Sequence, residues 1–172
     1  MTEEIVATSA RLRLQPWTPD GLPRLTALLT DPVTMKHWPE PFDEEDVRNW
    51  LDRAIRLWAS DRLGRWQVFR KEDGAFLGDC GLVPTELDGE TVTDLGYILQ
   101  APYHGQGYGK EAAAAALRYG MDVLGLRNVV CHMAEDNIPS RRTAEALGMV
   151  ESRRFIHTGN RNKTHIIHRL PA

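Results

Sequence analysis

The sequence predicts an α+β fold with a mixed central sheet of about seven strands, flanked by about four helices. Three strand-like segments between Trp66 and Leu99 are separated by the turn signals Glu72-Asp73-Gly74 and Asp88-Gly89, a pattern typical of an antiparallel meander. A strand, a helix and a second strand follow as far as Ala134, and strands joined through one helix lie parallel in a sheet. We therefore expect a mostly antiparallel sheet that contains one parallel strand pair.

The first half of the chain predicts strand, helix, helix and then the meander. Arg11–Trp17 alternates polar and apolar residues, which indicates a strand, and Leu22–Leu29 repeats leucine at helical spacing. Asp31-Pro32 ends that helix, and a second helix is expected from Asp43, whose side chain can cap it. The meander strands are expected at Trp66–Arg70, Phe76–Val83 and Thr91–Leu99.

The second half begins with an alanine-rich helix, expected at Gly107–Leu124 and ended by Gly125. Asn128–Ala134 is rich in β-branched residues and predicts the second strand of the parallel pair. The remaining elements are a short helix at Ser140–Leu147 and a closing hairpin of Val150–His157 and Thr164–Leu170.

Length and composition exclude several classes of protein. The 172 residues suit one core, so a single domain spanning residues 1–172 is expected. The net charge of −3 disfavours a nucleic-acid partner, because phosphodiester binding needs a dense Lys/Arg surface. No apolar stretch approaches the ~20 residues of a membrane span, and Glu3 and Glu4 stand where a secretory signal would carry Lys or Arg. We expect no membrane partner and a cytoplasmic location.

The two cysteines predict neither a metal site nor a disulfide. Cys80 and Cys131 lie in apolar, strand-like segments without CxxC or metal-like spacing, so buried free thiols are expected and no metal is assigned. A catalytic thiol remains the alternative, which would require a nearby activating base.

The glycine-rich loop from His104 to Lys110 predicts an anion site. Glycines at 105, 107 and 109 let the backbone approach a ligand closely, just where the unpaired N–H groups of a helix start point outward. The helix dipole and the charge of Lys110 would together suit a pyrophosphate.

Two common nucleotide-binding motifs do not fit this loop. A Walker loop requires a glycine at position 104 and Ser or Thr at position 111, where His104 and Glu111 stand. A dinucleotide fingerprint requires a small residue at position 110, where Lys110 stands, and a βαβ unit instead of a meander before it. A tight turn without any ligand remains the alternative to an anion site.

The loop resembles the acyl-CoA signature Q/R-x-x-G-x-G/A of the GNAT superfamily, here HGQGYG, with His104 departing from the first position. A second segment, Asn137–Met149, resembles the family's N-x-x-(A/S)-x-x-x-x-x-x-LG-(F/M) element. The resemblance covers nearly the whole chain and is strongest to the bacterial branch that acetylates ribosomal-protein N-termini. It implies the GNAT fold, with the parallel strands splayed at the CoA site.

The resemblance implies acetyl-CoA as cosubstrate, transferred by direct attack to a primary amine. The backbone of Tyr97, Ile98 and Leu99 would pair with pantetheine, Asn137 would bind it from the other side, and the loop would hold the pyrophosphate. The implied loop residues are His104, Gly105, Gln106, Gly107, Tyr108, Gly109 and Lys110.

The catalytic residues are less clearly marked. Many relatives protonate the CoA thiolate with a Tyr at the position of Ala144, so Ser140 is the candidate replacement, with an ordinary N-cap as the alternative. Asp94 and His132 are the two candidate bases, although a strand-end carboxylate and a buried core histidine are the simpler interpretations.

The acceptor is expected to be a peptide N-terminus or a small molecule, such as an amino acid, polyamine or antibiotic. Its binding would involve Met35–Glu45, the Glu86–Glu90 turn and the hairpin around Gly159. A non-catalytic acyl-CoA-binding module is the main alternative to an enzyme. A homodimer is possible, as is common among relatives.

Overall fold

The computed structural model describes residues 3–172 and has the predicted α+β architecture. The strands are β1 (Ala7–Thr8), β2 (Leu12–Pro16), β3 (Gly64–Arg70), β4 (Phe76–Leu87), β5 (Glu90–Leu99), β6 (Val129–Ala134), β7 (Val150–His157) and β8 (Lys163–Arg169). They form one sheet in the order β1-β2-β3-β4-β5-β6-β8-β7. The eighth strand, beyond the seven expected, is the two-residue β1, which is too short to leave an alternating pattern in the sequence.

The four expected helices are present, with small differences in their bounds. They are α1 (Leu22–Leu29), α2 (Glu44–Asp61), α3 (Tyr108–Arg118), which a π-helical turn at Tyr119–Val123 extends, and α4 (Ile138–Ala146). Asp43 caps α2 as predicted, in a capping box with Asp46. The start predicted for α4 is wrong by two residues, because Asn137 is its N-cap and accepts a hydrogen bond from the Ser140 N–H at 3.3 Å.

The parallel pair of β5 and β6 separates soon after it begins. Only Thr93 with Val129 and Asp94 with Val130 face each other across it. Beyond them β5 stays paired with β4 as far as Leu99, and β6 stays paired with β8 as far as Ala134. A gap therefore opens between the ends of β5 and β6, as the GNAT resemblance implied.

The helices cover the two faces of the sheet. Leu95 and Tyr97 of β5 belong to the core under α3, whereas Ile98, which points to the opposite face, packs in the core under α1 and α2. Within residues 3–172, none of the helices combines the length and the apolar composition that crossing a membrane would need.

Candidate active site

The gap exposes backbone groups on one edge of β5. The Thr93 N–H donates toward β6, to the Asn128 oxygen at 3.2 Å, and the Gln100 N–H donates toward β4, to the Leu77 oxygen at 2.9 Å. Because successive residues of a strand present their N–H groups to opposite edges, Tyr97 and Leu99 direct theirs into the gap. Ile98, expected in the same role, directs its N–H toward β4 and its side chain into the core.

A cavity of about 390 Å³ passes through this gap and is lined from both faces of the sheet. The half beneath α3 and α4, called here the helical half, is lined by Tyr97, Asn137, Ser140, Thr143 and Ala144. The half on the other face, called here the histidine half, is lined by Trp38, Trp50, Arg65, Asp94, His132, His157, Asn160 and His165. Five of the predicted site residues thus meet at one cavity: Asp94, Tyr97, His132, Asn137 and Ser140.

The glycine loop lies beside the helical half and begins α3. Gly105 and Gly107 have φ of 74° and 82°, a left-handed conformation that favours glycine. A Cβ at Gly109 would lie 2.6 Å from the Tyr97 ring, so only glycine allows the helix to begin directly against the cavity wall. The first intrahelical bond runs from the Glu111 N–H to the Gly107 oxygen at 3.1 Å. Within residues 3–172, the N–H groups of the three preceding residues, Tyr108, Gly109 and Lys110, therefore remain free for an anion.

Arg11 fixes the shape of this loop from a distant part of the chain. Its guanidinium donates to the Gln106 oxygen through both Nη1 and Nη2 at 3.1 Å and lies 4.2 Å from the centre of the Tyr108 ring. Its Nε donates to Glu111 at 2.7 Å. Glu111, in the first turn of α3, is therefore paired with a cation. It repels a bound anion less than an unpaired carboxylate at this position would.

His104, the departure from the family signature, ties the loop to the end of β5. Its Nε2 lies 2.7 Å from the carbonyl oxygen of Leu99, which lies on the same edge of the strand as the Leu99 N–H. The side chain therefore supports the turn between β5 and α3 and adds no donor at the helix start. Gln106 also acts within the loop, where its amide donates to the Pro102 oxygen at 3.1 Å.

Three hydroxyl groups meet in the helical half. The Tyr97 hydroxyl donates to Thr143 Oγ1 at 3.0 Å. Burial raises the pKa of the Tyr97 phenol, and hydrogen bonds with Thr143 and Ser140 oppose this rise. The alternative in which Ser140 is only a helix cap is wrong, because Asn137 takes that position and leaves the Ser140 hydroxyl at the cavity wall.

The histidine half contains a chain of polar side chains. His132 Nε2 lies 3.6 Å from Asp94 Oδ2, and His132 Nδ1 lies 3.0 Å from His165 Nδ1. The other nitrogen of His165 lies 2.9 Å from the Asn160 amide. The two candidate bases, Asp94 and His132, are thus neighbours in a single chain of polar groups.

The imidazoles of His132, His157 and His165 differ in pKa. For His132, burial lowers the pKa, but the hydrogen bond and charge of Asp94 outweigh this and raise it above the ordinary value. For His165, burial and the neighbouring imidazoles His132 and His157 lower the pKa to about 4. Burial and His132 also lower the pKa of His157. His132 is therefore the imidazole in this chain that is best placed to carry a proton near neutral pH.

Arg65 brings a buried positive charge to the wall of the histidine half. It is nine-tenths buried, its Nε donates to Asp79, and its guanidinium lies over Gly96, where a Cβ would come within 2.5 Å of Nη1. The indoles of Trp17 and Trp50 also donate to Asp79, at 2.9 and 3.2 Å. In the described part of the chain, Arg65 Nη2 is buried and finds no hydrogen-bond partner. Arg65 lines the cavity, so its guanidinium can face a ligand oxygen there.

Both cysteines are free and buried, as predicted. Burial raises the pKa of the Cys80 thiol to about 12, and it also raises the pKa of Cys131, which lines the cavity. A catalytic thiol requires the opposite shift, because the thiolate is the nucleophile. Neither thiol therefore has the lowered pKa that a nucleophilic cysteine needs.

Sequence reasoning missed several residues of the site, including Arg11, Arg65, Thr143 and His165. Arg11 lies 95 residues from the carbonyl it binds, and no motif connects the two. His165 has a weak signal, since it directly precedes the apolar pair Ile166 and Ile167 in the last predicted strand. Of the segments expected to bind an acceptor, His37, Trp38, Pro39, Gly159 and Asn160 reach the cavity, whereas the Glu86–Glu90 turn is not part of its lining.

This architecture and this cavity agree with what is known of related proteins. The Acetyltransferase (GNAT) domain family matches residues 11–150. An uncharacterized protein of Bacillus subtilis (strain 168), YkkB, is 32% identical over 122 residues, which cover 71% of each chain. The chain belongs to the GNAT acetyltransferase family.

Solved structures with this fold bind different acceptors. The ribosomal L7/L12 α-N-protein acetyltransferase RimL in complex with coenzyme A has a TM-score of 0.79 at 17% identity, covering 96% of both chains. The spermidine N-acetyltransferase of Vibrio cholerae in complex with CoA and spermine has a TM-score of 0.75 at 17% identity, covering 94% of this chain and 96% of that one. One fold therefore serves a protein acceptor in one neighbour and a polyamine in the other.

Proposed function

We propose that this protein transfers the acetyl group of acetyl-CoA directly to the α-amine of a protein or peptide N-terminus. The observation that carries the proposal is the cavity through the gap between β5 and β6. Its helical half lies beside a helix start, where Gly109 packs against the Tyr97 ring, and its histidine half contains the chain of Asp94 and His132 on the other face of the sheet. A cosubstrate and an acceptor that enter from opposite faces would meet in this gap.

The cofactor would lie along the helical half. The pyrophosphate fits the start of α3, where the N–H groups of Tyr108, Gly109 and Lys110 are free and the helix dipole favours a negative charge. Pantetheine would pair with the N–H groups of Tyr97 and Leu99 as an added strand, with Asn137 lining the opposite side. An N–H at this edge would polarise the thioester oxygen as the amine attacks, which is worth about 3 kcal/mol.

Proton transfer would take place on both sides of the thioester. As the amine forms the new C–N bond, the chain of Asp94 and His132 would accept its proton. As the C–S bond breaks, the Ser140 hydroxyl would protonate the departing thiolate and regain a proton from solvent, as the base releases the one it took, while Tyr97 and Thr143 hold that region of the cavity in place. The balanced products are an N-acetyl amide and CoA with a free thiol.

Arg65 supports a protein or peptide N-terminus as the acceptor. An α-amine at a chain terminus has a carbonyl oxygen two bonds from its nitrogen-bearing carbon, and the Arg65 guanidinium at the cavity wall can donate to such an oxygen. A polyamine offers no acceptor of this kind and would add cationic groups beside a buried guanidinium. The free thiols of Cys80 and Cys131 support action in a reducing compartment such as the cytoplasm.

The test is an acetylation assay on matched amines that follows release of the CoA thiol. It compares a short peptide with a free N-terminal Ala or Ser, the same peptide with a blocked N-terminus and one lysine, and spermidine. We expect the free N-terminus to be the best acceptor by at least about tenfold in kcat/KM, since proton loss from an α-amine with a pKa near 8 is easier than from lysine.

The variant Arg65→Lys distinguishes recognition of the peptide acceptor from the general reactivity of the enzyme toward amines. It keeps a cation near Asp79 but removes the planar guanidinium, so the preference for the peptide should fall while activity on spermidine stays low. If spermidine or lysine is the best acceptor, the N-terminal assignment is wrong. If the protein binds acetyl-CoA and none of the amines raises thiol release above background, the non-catalytic acyl-CoA-binding module is supported instead.

A further inference from the structure

Three imidazoles converge at the end of the closing hairpin in the histidine half. One nitrogen from each of His132, His157 and His165 can be chosen so that all three lie within 4.8 Å of one another. The closest pair, His132 Nδ1 and His165 Nδ1, is 3.0 Å apart. Two ligands of a tetrahedral zinc ion, each at about 2.0–2.1 Å, lie about 3.3 Å apart. Two imidazoles are therefore already at ligand spacing, and the third requires a shift of about 1.5 Å.

The groups around these imidazoles match what supports metal-bound histidines in general. His132 directs Nδ1 toward the other histidines and Nε2 toward the carboxylate of Asp94, 3.6 Å away. His165 likewise directs Nδ1 inward and Nε2 toward Asn160. If the Asn160 amide is turned over, its oxygen accepts from Nε2–H, and the lone pair of His165 Nδ1 then points into the cluster. A carboxylate or amide oxygen that holds the second ring nitrogen is the usual partner of a metal-ligating histidine.

From this arrangement we infer that His132, His157 and His165 form a binding site for a divalent transition metal, with zinc as the best match. Three nitrogen ligands suit zinc, and the fourth position would face the cavity and take water. Hard ions such as magnesium prefer oxygen ligands, and the three convergent groups are all imidazoles. This site departs from the expectation, drawn from the cysteine spacing, that the protein has no metal site.

The site has a consequence that rests on the proposed function. His132 and Asp94 are the groups assigned to the acceptor's proton, and a bound metal would occupy the first and keep the second as its supporting carboxylate. Zinc would therefore inhibit acetyl transfer reversibly, while acetyl-CoA would still bind in the helical half. The histidine half would act as a metal-sensitive switch on the acceptor side of the cavity.

Metal binding is tested without acetyl-CoA or an amine. The full chain is stripped with a chelator and dialysed, and zinc chloride is titrated against a chromogenic chelator, with cobalt absorption as a spectroscopic check of tetrahedral nitrogen coordination. We expect one zinc per chain. His157→Phe and His165→Phe should each weaken zinc binding by more than about 100-fold, and Asn160→Ala should weaken it by about 10- to 100-fold, the usual effect of losing an outer-shell partner.

His168→Gln is the matched control, because His168 is buried on the same strand but, three residues from His165, lies on the opposite face. Zinc affinity should be unchanged in this variant, and thermal unfolding checks that all four variants fold. Substoichiometric zinc, or unchanged affinity in both folded His157→Phe and His165→Phe, would overturn the site.

Inhibition is measured separately, as the ratio of acetylation rates with and without zinc within each variant. The ratio should fall at least about tenfold in the unmodified chain, recover with chelator, and stay near one in His157→Phe. Stoichiometric zinc binding without inhibition would contradict the metal-sensitive switch and would still support the metal site. A chain that acetylates no amine would contradict the proposed function and would leave the titration result standing.

Discussion

The two halves of the cavity are built from different parts of the polypeptide. The helical half and its loop use backbone: the N–H groups of β5, the free N–H groups of α3 and the glycines at 105, 107 and 109. The histidine half uses side chains from separate segments, among them Arg65, Asp94, His132 and His165. A cofactor shared across a family can be bound by backbone that tolerates sequence change, whereas an acceptor that varies must be recognised by side chains.

This difference predicts how substitutions will behave. A change in the loop should reduce binding of acetyl-CoA whatever amine is supplied. A change in the histidine half should alter proton transfer or acceptor choice and leave acetyl-CoA binding intact. The variants below test that separation.

Gly107→Glu should have the largest effect, lowering the affinity for acetyl-CoA by about 100-fold or more. A carboxylate within about 5 Å of a bound phosphate costs roughly 3 kcal/mol at an effective dielectric constant of 20. The φ of 82° adds backbone strain of about 1–2 kcal/mol to the folded state. Calorimetric titration with acetyl-CoA measures the affinity, and thermal unfolding measures the strain.

Gly89→Glu is the control for that strain. Gly89 has a φ of 79°, has no atom within 4 Å of an added Cβ, and lies at the opposite end of β5 from the loop. Both variants should lose similar stability, and only the one at 107 should lose acetyl-CoA binding. Equal affinities in the two variants would show that the loop does not hold the cofactor.

Asp94→Asn should lower kcat/KM by about 30-fold at pH 7 with little change in acetyl-CoA affinity. This reduction of kcat/KM is smaller than the one usually seen when a general base is removed. The reason is that an α-amine with a pKa near 8 is already about a tenth neutral at pH 7. Steady-state rates with the peptide acceptor, measured with chelator present, give the ratio. A Kd for acetyl-CoA that rises in parallel would place Asp94 in the cofactor site instead.

The pH dependence of kcat/KM tests the same pair of residues, because the structure predicts the direction in which it should shift. His132 must be neutral to accept a proton, and its pKa is raised by Asp94 against the opposing effect of burial. In the unmodified chain kcat/KM should therefore fall, as pH is lowered, at a higher pH than for an ordinary histidine. In Asp94→Asn burial lowers the pKa of His132 without the opposing effect of the carboxylate. The fall in kcat/KM should therefore move to lower pH. An unmoved profile would exclude His132 as the titrating group.

The contrast between the backbone of the helical half and the distant side chains of the histidine half also explains how much could be predicted from the sequence. The mixed sheet, the four helices and the glycine loop follow from local patterns such as the meander turns, the alanine run and the Gly105–Gly109 spacing. The pairing of Asp94 with His132, the contact of Arg11 with the loop and the convergence of His165 depend on strand register between distant segments. A single sequence contains no local signal for such contacts, and Ile98 shows that even a correctly predicted strand does not fix which edge each N–H faces.

Ser140→Ala tests the hydroxyl groups of the helical half and should have a smaller effect than Asp94→Asn, lowering kcat by about tenfold. A thiol with a pKa near 8.5 leaves readily as the thiolate, so its protonation contributes less than the usual 100-fold of general acid catalysis. Thr143→Val is the matched comparison, because it removes the acceptor of the Tyr97 hydroxyl and keeps the shape of the side chain. It should lower kcat only about threefold. If Tyr97→Phe instead lowers kcat more than Ser140→Ala, with acetyl-CoA affinity unchanged in both, the phenol is the proton donor and Ser140 only positions it.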